Sequence, residues 1–217
     1  LLRSAGSNIY DEAGHFNLSA PEGVSAFRWI QDGVGRGWFP PHAENLEIED
    51  CSSLFRQGQL AIYMVNNASI TRYGDAVGLV NFPGPDADGS ATAFASGFQI
   101  FDNGDAEKLQ VARDFLSFVY GDGCWLDYAA GAIPASKRVS DRYGADIPFY
   151  DLFRANAGNV WDFTGNNPDT QTVREIFYTG IHDLLMGKTT PEECAAFLDE
   201  RCNAAIDEGW AKSQLHE

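Results

Sequence analysis

Two neighbouring amide side chains, Asn66 and Asn67, follow the apolar run LAIYMV at residues 60–65. Amide groups both donate and accept hydrogen bonds, so a pair of them suits the hydroxyl groups of a polar small molecule. In open α/β sheets, ligands bind just beyond the carboxyl ends of the strands. A buried strand at 60–65 would deliver both amides to such an end, which favours a binding site over a catalytic one. The alternative is that the amides cap a brief helix at 68–73.

An aromatic and acidic pair, Trp161 and Asp162, stands in the polar stretch NVWDFTGNNPDT at 159–170. An aromatic ring stacks on the apolar C–H face of a sugar, and a carboxylate accepts hydrogen bonds from two vicinal hydroxyls. These residue types therefore indicate a hexose contact. The alternative is that Trp161 anchors the loop to the core.

A glycine interrupts the apolar run AFASGFQIF at 93–101, which is predicted to be a strand. Glycine inside a strand often marks a close approach by a ligand or by another backbone. Ser96, Gly97 and Phe98 are therefore binding candidates, with ordinary strand packing and a core position for Phe98 as the alternative. The remaining tryptophans are expected to pack in the core or against helices: Trp29, Trp38, Trp125 and Trp210.

The patterns that mark catalytic and cofactor sites are missing from the sequence. It contains no G-x-S-x-G, H-E-x-x-H, P-loop or G-x-G-x-x-G pattern, and its four histidines share no i, i+4 partner. No pair of its four cysteines has C-x-x-C spacing. We therefore expect no metal and no cofactor. Free thiols are predicted, with a disulfide that involves Cys51 or Cys124 as the alternative.

The charge balance excludes several classes of partner. Thirty-one acidic residues against 15 basic ones give a formal net charge of −16. A field of this sign repels phosphate backbones and anionic headgroups, so neither nucleic acid nor a membrane surface is an expected partner. No apolar run approaches the roughly 20 residues that span a bilayer, and we expect no membrane insertion of this segment.

Local signals predict a helix-rich α/β protein, because the few strands are separated by helices. Capping boxes, in which two side chains bind the first free amides of a helix, are predicted at Ser19–Glu22 and Thr190–Glu193. Strands are predicted at 60–65, 77–82 and 93–101. Helices are predicted at 19–35, 49–57, 105–120, 121–130, 137–143, 148–155, 171–186 and 191–210.

Five segments in this order resemble the C-terminal half of the extracellular sugar-binding proteins of ABC transporters, the maltose-binding-protein-like group. They are YDEAGHFNLSAPEGVSAFRWIQDGV, FRQGQLAIYMVNNASI, VGLVNFPGPDADGSATAFASGFQI, GAIPAS and LLMGKTTPEECAAFLDE. The resemblance extends over nearly all 217 residues. It rests on the combination, since each segment alone is weakly specific.

The resemblance implies a type II periplasmic-binding-protein-like fold, with the C-terminal lobe and part of the N-terminal lobe present. Residues 1–80 and 138–217 would then belong to the C-terminal lobe, and 84–137 to the N-terminal lobe, with a hinge around 81–83. The N-terminal half of the full protein would be absent. Ala68 stands where the family has a stacking tryptophan, a departure from its pattern.

The resemblance also implies a function without chemistry. The chain would be the substrate-binding component of an ABC importer, a monomer that holds a carbohydrate between hinged lobes and docks on the permease transmembrane subunits. Its place would be extracellular, as a cell-surface lipoprotein or in the periplasm. Arg174 would lie near the cleft and either bridge ligand hydroxyls or pair with a surface acid.

Two other classes of function stay open at this point. Acidic, aromatic-rich chains also include carbohydrate-active enzymes, so a glycosidase fragment is the alternative. Such an enzyme needs two carboxylates at a defined separation in a cleft, whereas the acids here fall mostly in loops, caps and exposed helix faces. A purely structural interaction domain is the third possibility.

Overall fold

The computed structural model describes residues 1–66, 69, 72–73, 76–80, 91–92, 98–121, 133–134, 136–155, 158, 160–161 and 167–213. In this part of the chain the helices are α1 (Pro21–Gly35), α2 (Ile48–Arg56), α3 (Ala106–Val119), α4 (Lys137–Tyr143), α5 (Tyr150–Ala155), α6 (Thr170–Leu185) and α7 (Pro191–Ser213). Single 3-10 turns lie at Arg3–Ala5, Ala43–Asn45 and Gly144–Asp146. Two short strands, β1 (Ala91–Thr92) and β2 (Val160–Trp161), pair with each other.

The chain divides into two compact units. Unit 1 comprises Leu1–Ala61, Asn81–Thr92 and Trp161–Glu217, and unit 2 comprises Ile62–Val80 and Ala93–Val160. These units are a division of the chain separate from the predicted segments 1–80, 84–137 and 138–217, because residues 62–80 and 138–160 belong to unit 2. The assignment of segments to the lobes of a longer protein stays a prediction.

The core of unit 1 lies between α1, α6 and α7. Phe27 of α1, Leu184 of α6 and Leu198 of α7 are each at most 2% exposed. The same cluster includes Ile9, Phe16, Leu18, Val173, Cys194, Ala195, Cys202, Ala205 and Ile206. Because apolar side chains recur at helical spacing on all three helices, each presents one apolar face to the others.

One polar face of α7 binds the segment that leads into α1. Asp199 accepts hydrogen bonds from the amides of Leu18 and Ser19, at 2.6 and 2.8 Å. Asn203 accepts from the Phe16 amide at 2.7 Å and donates to the Phe16 carbonyl at 3.0 Å. Asp199 and Asn203 are four positions apart and share one face of α7. This face therefore provides hydrogen-bond partners for backbone groups of Phe16, Leu18 and Ser19 in the irregular segment before α1.

The helices predicted to begin after Asp105 and at the Thr190–Glu193 capping box are confirmed. Asp105 caps α3 by accepting from the amides of Glu107 and Lys108. At the start of α7, Thr190 and Glu193 form the predicted capping box, with the Thr190 amide 2.8 Å from the Glu193 carboxylate and the Glu193 amide 3.2 Å from the Thr190 hydroxyl. The hydrogen bonds that the Thr190 amide and the Thr190 hydroxyl donate to the carboxylate lower the pKa of the Glu193 carboxyl. The helix predicted at 121–130 lies almost wholly outside the described residues.

The capping box predicted at Ser19–Glu22 is wrong. The N-cap of α1 is Ala20, and no side chain caps it. The Ser19 amide instead binds Asp199. The contact with α7 therefore decides how the chain enters α1, and Gly23 in the first turn makes that entry possible. A Cβ atom at Gly23 would overlap the carbonyl oxygen of Leu18.

The strands predicted at 60–65 and 77–82 are wrong over the residues that the structure describes, which end at 80 in the second case. Ile62, Met64 and Val80 are 85%, 77% and 82% exposed, so these runs are not buried. A strand needs a paired neighbour, and an apolar run does not supply one. For the strand predicted at 93–101, residues 93–97 lie outside the described part, and 98–101 are irregular and exposed.

The thiols follow the prediction where they are described. Cys51, Cys194 and Cys202 are free, and the last two are buried in the core of unit 1. Burial raises the pKa of Cys194 to about 11 and that of Cys202 to about 12. Cys124 lies outside the described residues.

Candidate functional site

The structure describes four of the eight predicted binding residues in whole or in part. Asn67, Ser96, Gly97 and Asp162 lie outside the described residues. Asn66 and Phe98 belong to unit 2, whereas Trp161 and Arg174 belong to unit 1.

Asn66 is exposed, and its side chain closes a local turn. Its Oδ1 accepts hydrogen bonds from the Ser69 amide at 3.0 Å and from the Ser69 hydroxyl at 2.9 Å. These bonds correspond to the capping alternative for Asn66. A ligand would therefore meet the donor end of this amide more readily than its occupied oxygen.

Phe98 is 54% exposed, so it is not a core residue of unit 2. Its ring meets Phe115 and Tyr120 edge-on, with centroid distances of 5.9 and 6.1 Å. It lines a cavity of about 330 Å³ between the 98–103 segment and α3. The cavity walls are mainly apolar, with Phe101, Leu109, Ala112, Phe115 and Leu116 among them. Such a lining favours an apolar group over a polyhydroxylated one.

Trp161 occupies β2, inside the stretch 159–170 that is predicted to be a polar loop. Only its backbone is described, and it pairs with β1. The sugar contact predicted for Trp161 and Asp162 stays a prediction.

Arg174 and Tyr178 form an exposed pair on α6. The Arg174 Nε donates a hydrogen bond to the Tyr178 hydroxyl at 2.7 Å, and the guanidinium carbon lies 5.2 Å from the centroid of the ring. Tyr178 is 60% exposed. A guanidinium carries five N–H donors in one plane. With Nε directed at the tyrosine, the Nη donors of the described pair stay available to a ligand.

The helix itself places this pair. Asp169 caps α6 by accepting from the Thr172 amide at 3.1 Å and the Thr172 hydroxyl at 2.8 Å, and these bonds lower the pKa of the Asp169 carboxyl. Val173 on the next face is 3% exposed and holds the helix to the core. Arg174 and Tyr178, four residues apart, share a solvent-facing side of α6.

Tyr178 is the residue that sequence reasoning missed. The signal was present, because an arginine and a tyrosine at i, i+4 are neighbours on a helix surface. Together the two side chains offer planar donors beside an aromatic face. Those are the two groups that a hexose needs for its hydroxyls and its C–H face.

The described residues offer neither a metal site nor a membrane span. No group of three His, Cys, Asp or Glu side chains among them could hold a metal ion. Within the same part of the chain, no helix is long and apolar enough to cross a membrane.

Solved structures of sugar-binding proteins share the architecture of this chain. Maltose-bound MalE3 from T. maritima matches with a TM-score of 0.74 and 21% identity, over 92% of this chain and 54% of that one. The chain has the fold of type II periplasmic binding proteins. The resemblance noted in the sequence is therefore confirmed at the level of the fold.

Two further solved structures of carbohydrate-binding proteins match nearly the whole of this chain. A Synechococcus sp. MITs9220 protein assigned as a periplasmic oligosaccharide-binding protein and solved with zinc gives a TM-score of 0.70 at 15% identity, over 96% of this chain and 57% of that one. The cyclic α-maltosyl-1,6-maltose binding protein of Arthrobacter globiformis gives 0.63 at 16% identity, over 95% and 54%. The chain thus spans little more than half the length of these periplasmic-binding-protein neighbours.

Neither the family models nor the curated proteins contain a match to this sequence.

Proposed function

We propose that this protein is the carbohydrate-binding component of an ABC importer and has no catalytic activity of its own. The observation that carries the proposal is the fold, which is shared over 92–96% of the chain with proteins that bind maltose or oligosaccharides. The absence of catalytic patterns from the sequence supports binding without turnover.

The Arg174–Tyr178 pair supplies the recognition chemistry in unit 1. Hydrogen bonds from the Nη groups to two vicinal hydroxyls are charge-assisted and hold the sugar in one orientation. The exposed tyrosine ring beside them covers the C–H face of the same or the next sugar ring. Further contacts are proposed from the other predicted residues: Asn66, Asn67, Ser96, Gly97, Phe98, Trp161 and Asp162.

The mechanism would be a shift in population. A sugar that contacts both lobes of the complete fold binds the closed form better than the open one and so favours closure about a hinge. The closed form would then dock on the permease transmembrane subunits, outside the cell or in the periplasm. Lipoprotein anchoring and a monomeric state belong to the same proposal.

Calorimetric titration with maltose and maltotetraose tests the proposal. We expect Arg174→Ala to weaken binding about tenfold or more, because a hydrogen bond to a charged group contributes about 1.5–3 kcal/mol. Tyr178→Ala should weaken it as well, while Tyr178→Phe keeps the ring and removes only the bond to Nε. Arg201→Ala, an exposed arginine on α7, is the matched control.

Chromatography of the same mixtures detects turnover. Unchanged maltotetraose after long incubation is the expected result, and accumulation of shorter sugars would overturn the non-catalytic proposal. If the Arg174→Ala and Arg201→Ala variants bind maltotetraose with equal affinity, Arg174 and Tyr178 do not belong to the carbohydrate-binding site.

A further inference from the structure

An exposed aromatic surface lies at the C-terminal end of α1. Trp29 and Trp38 are 45% and 51% exposed, and their ring centroids are 5.5 Å apart. Phe39 meets Trp29 edge-on at 6.0 Å. Of the two predicted placements, core or helix packing, Trp38 takes the second, because its ring lies against Gly33 and Trp29 of α1. About half of each of the two tryptophans remains open to solvent.

The backbone holds these rings in place. The Trp38 amide donates to the Gly33 carbonyl at 2.8 Å, and the Gly37 amide donates to the Val34 carbonyl at 3.1 Å. With Gly37 in the left-handed region at φ 69°, this is the turn that commonly closes a helix C-terminus. It folds the chain back so that Trp38 and Phe39 lie over Gly33.

Gly33 leaves the space that the rings occupy. A Cβ atom there would come 2.6 Å from Phe39 and 3.1 Å from Trp38. The aromatic surface is thus fixed by packing and by backbone hydrogen bonds. A fixed ring loses little conformational freedom when a ligand binds, which favours affinity.

Charged groups flank the rings on the same side of the helix. The Arg36 guanidinium carbon lies 5.3 Å from the centroid of the Trp38 ring. Asp32 and Arg36 follow Trp29 by three and seven positions, so all three share one helix face. Both side chains are exposed, and together they offer hydrogen-bond acceptors and donors at the edge of the aromatic surface.

From this combination we infer that the surface made by Trp29, Trp38, Asp32 and Arg36 is a second carbohydrate-binding site, which takes hexopyranose units of an oligosaccharide. Two adjoining indoles accept the C–H faces of sugar rings. The carboxylate and the guanidinium bind the hydroxyls that project from the ring edges. A purely apolar partner would leave both charges unpaired, which disfavours it. The choice of ligand rests on the proposed function, whereas the site shares no residue with Arg174 and Tyr178.

The test uses the indole N–H signals in two-dimensional NMR spectra of the unmodified protein, assigned with single Trp→Phe variants. Maltotetraose is the probe, and sorbitol, which has hydroxyls but no pyranose ring, is the control. We expect the signals of Trp29 and Trp38 to shift saturably with maltotetraose and to stay in place with sorbitol. We expect Trp38→Ala to weaken this site about tenfold, the usual effect of removing an aromatic anchor.

The Arg174→Ala variant separates the two proposals. Shifts of Trp29 and Trp38 that persist in this variant support the second site independently of the first. If binding depends on Arg174 and neither tryptophan responds, the inference is overturned and the proposed function stands. If Trp29 and Trp38 respond but Arg174→Ala does not change the affinity for maltotetraose, the proposed site at Arg174 is wrong and the site at the aromatic surface is supported. No response to maltotetraose by calorimetry or NMR overturns both.

Discussion

The contribution of α7 to binding the segment that precedes α1 can be measured at Asn203. Its side chain accepts from the Phe16 amide at 2.7 Å and donates to the Phe16 carbonyl at 3.0 Å. Phe16 is only 3% exposed, so water replaces these bonds poorly when they are lost. The change Asn203→Ala should therefore leave two backbone groups of one buried residue without partners.

The magnitude follows from the two hydrogen bonds. Each contributes about 1 kcal/mol net, and an unsatisfied buried partner costs about 1–3 kcal/mol. We expect Asn203→Ala to lower the free energy of unfolding by about 2–4 kcal/mol, since the amide and the carbonyl lose their partners together. At this chain length that loss corresponds to a fall in Tm of about 5–15 °C.

Asn203→Asp distinguishes hydrogen bonding from packing. The carboxylate can still accept from the Phe16 amide, but it cannot donate and it repels the carbonyl oxygen. The variant keeps the volume of the side chain and should still lose about 1–3 kcal/mol.

Urea unfolding followed by circular dichroism measures each variant. Glu200→Ala, an exposed position on the same helix, is the control and should change stability by less than about 0.5 kcal/mol. If Asn203→Ala costs no more than the control, the hydrogen bonds to Phe16 contribute nothing and the reasoning is refuted.

Three further predictions concern packing, acid stability and thiol chemistry. Gly23→Ala should lower the free energy of unfolding by about 1–3 kcal/mol, because its Cβ would overlap the backbone of Leu18. Gly35→Ala, with open space around its Cβ, should leave that free energy unchanged or raise it by up to about 1 kcal/mol. Similar melting temperatures for the two variants would contradict this prediction. The lowered pKa of Glu193 means that its contribution is complete above the ordinary carboxyl pKa and disappears as the pH falls through the folded-state pKa. Glu193→Gln should therefore reduce the difference in Tm between neutral and acidic pH, and an unchanged difference would exclude this role. Burial raises the pKa of Cys194 to about 11 and that of Cys202 to about 12. Both thiols should therefore resist iodoacetamide at pH 8 until urea unfolds the protein, as mapped by mass spectrometry. Fast labelling of the folded chain would show that the core opens.

The helices of this protein could be predicted from the sequence because their signals are local. Asp105 before α3 and the Thr190–Glu193 box before α7 satisfy backbone amides within one turn, so neighbours in sequence decide where those helices begin. The order of the helices and of a few apolar and glycine-bearing segments was enough to indicate the fold. The exclusion of the usual catalytic and cofactor patterns likewise needed only residue types and spacing.

Tertiary structure decided whatever depends on partners distant in sequence. Ser19 does not cap α1, and its amide donates to the Asp199 carboxylate, 180 positions away. The apolar run at 60–65 is no strand, since strand formation requires a neighbour that local propensity cannot provide. Whether Arg174 meets Tyr178, and whether Trp29 and Trp38 lie open beside each other, depends on side-chain direction and on which helix face the core takes. Residue types and spacing determine which groups can act, and packing determines which of them face solvent together.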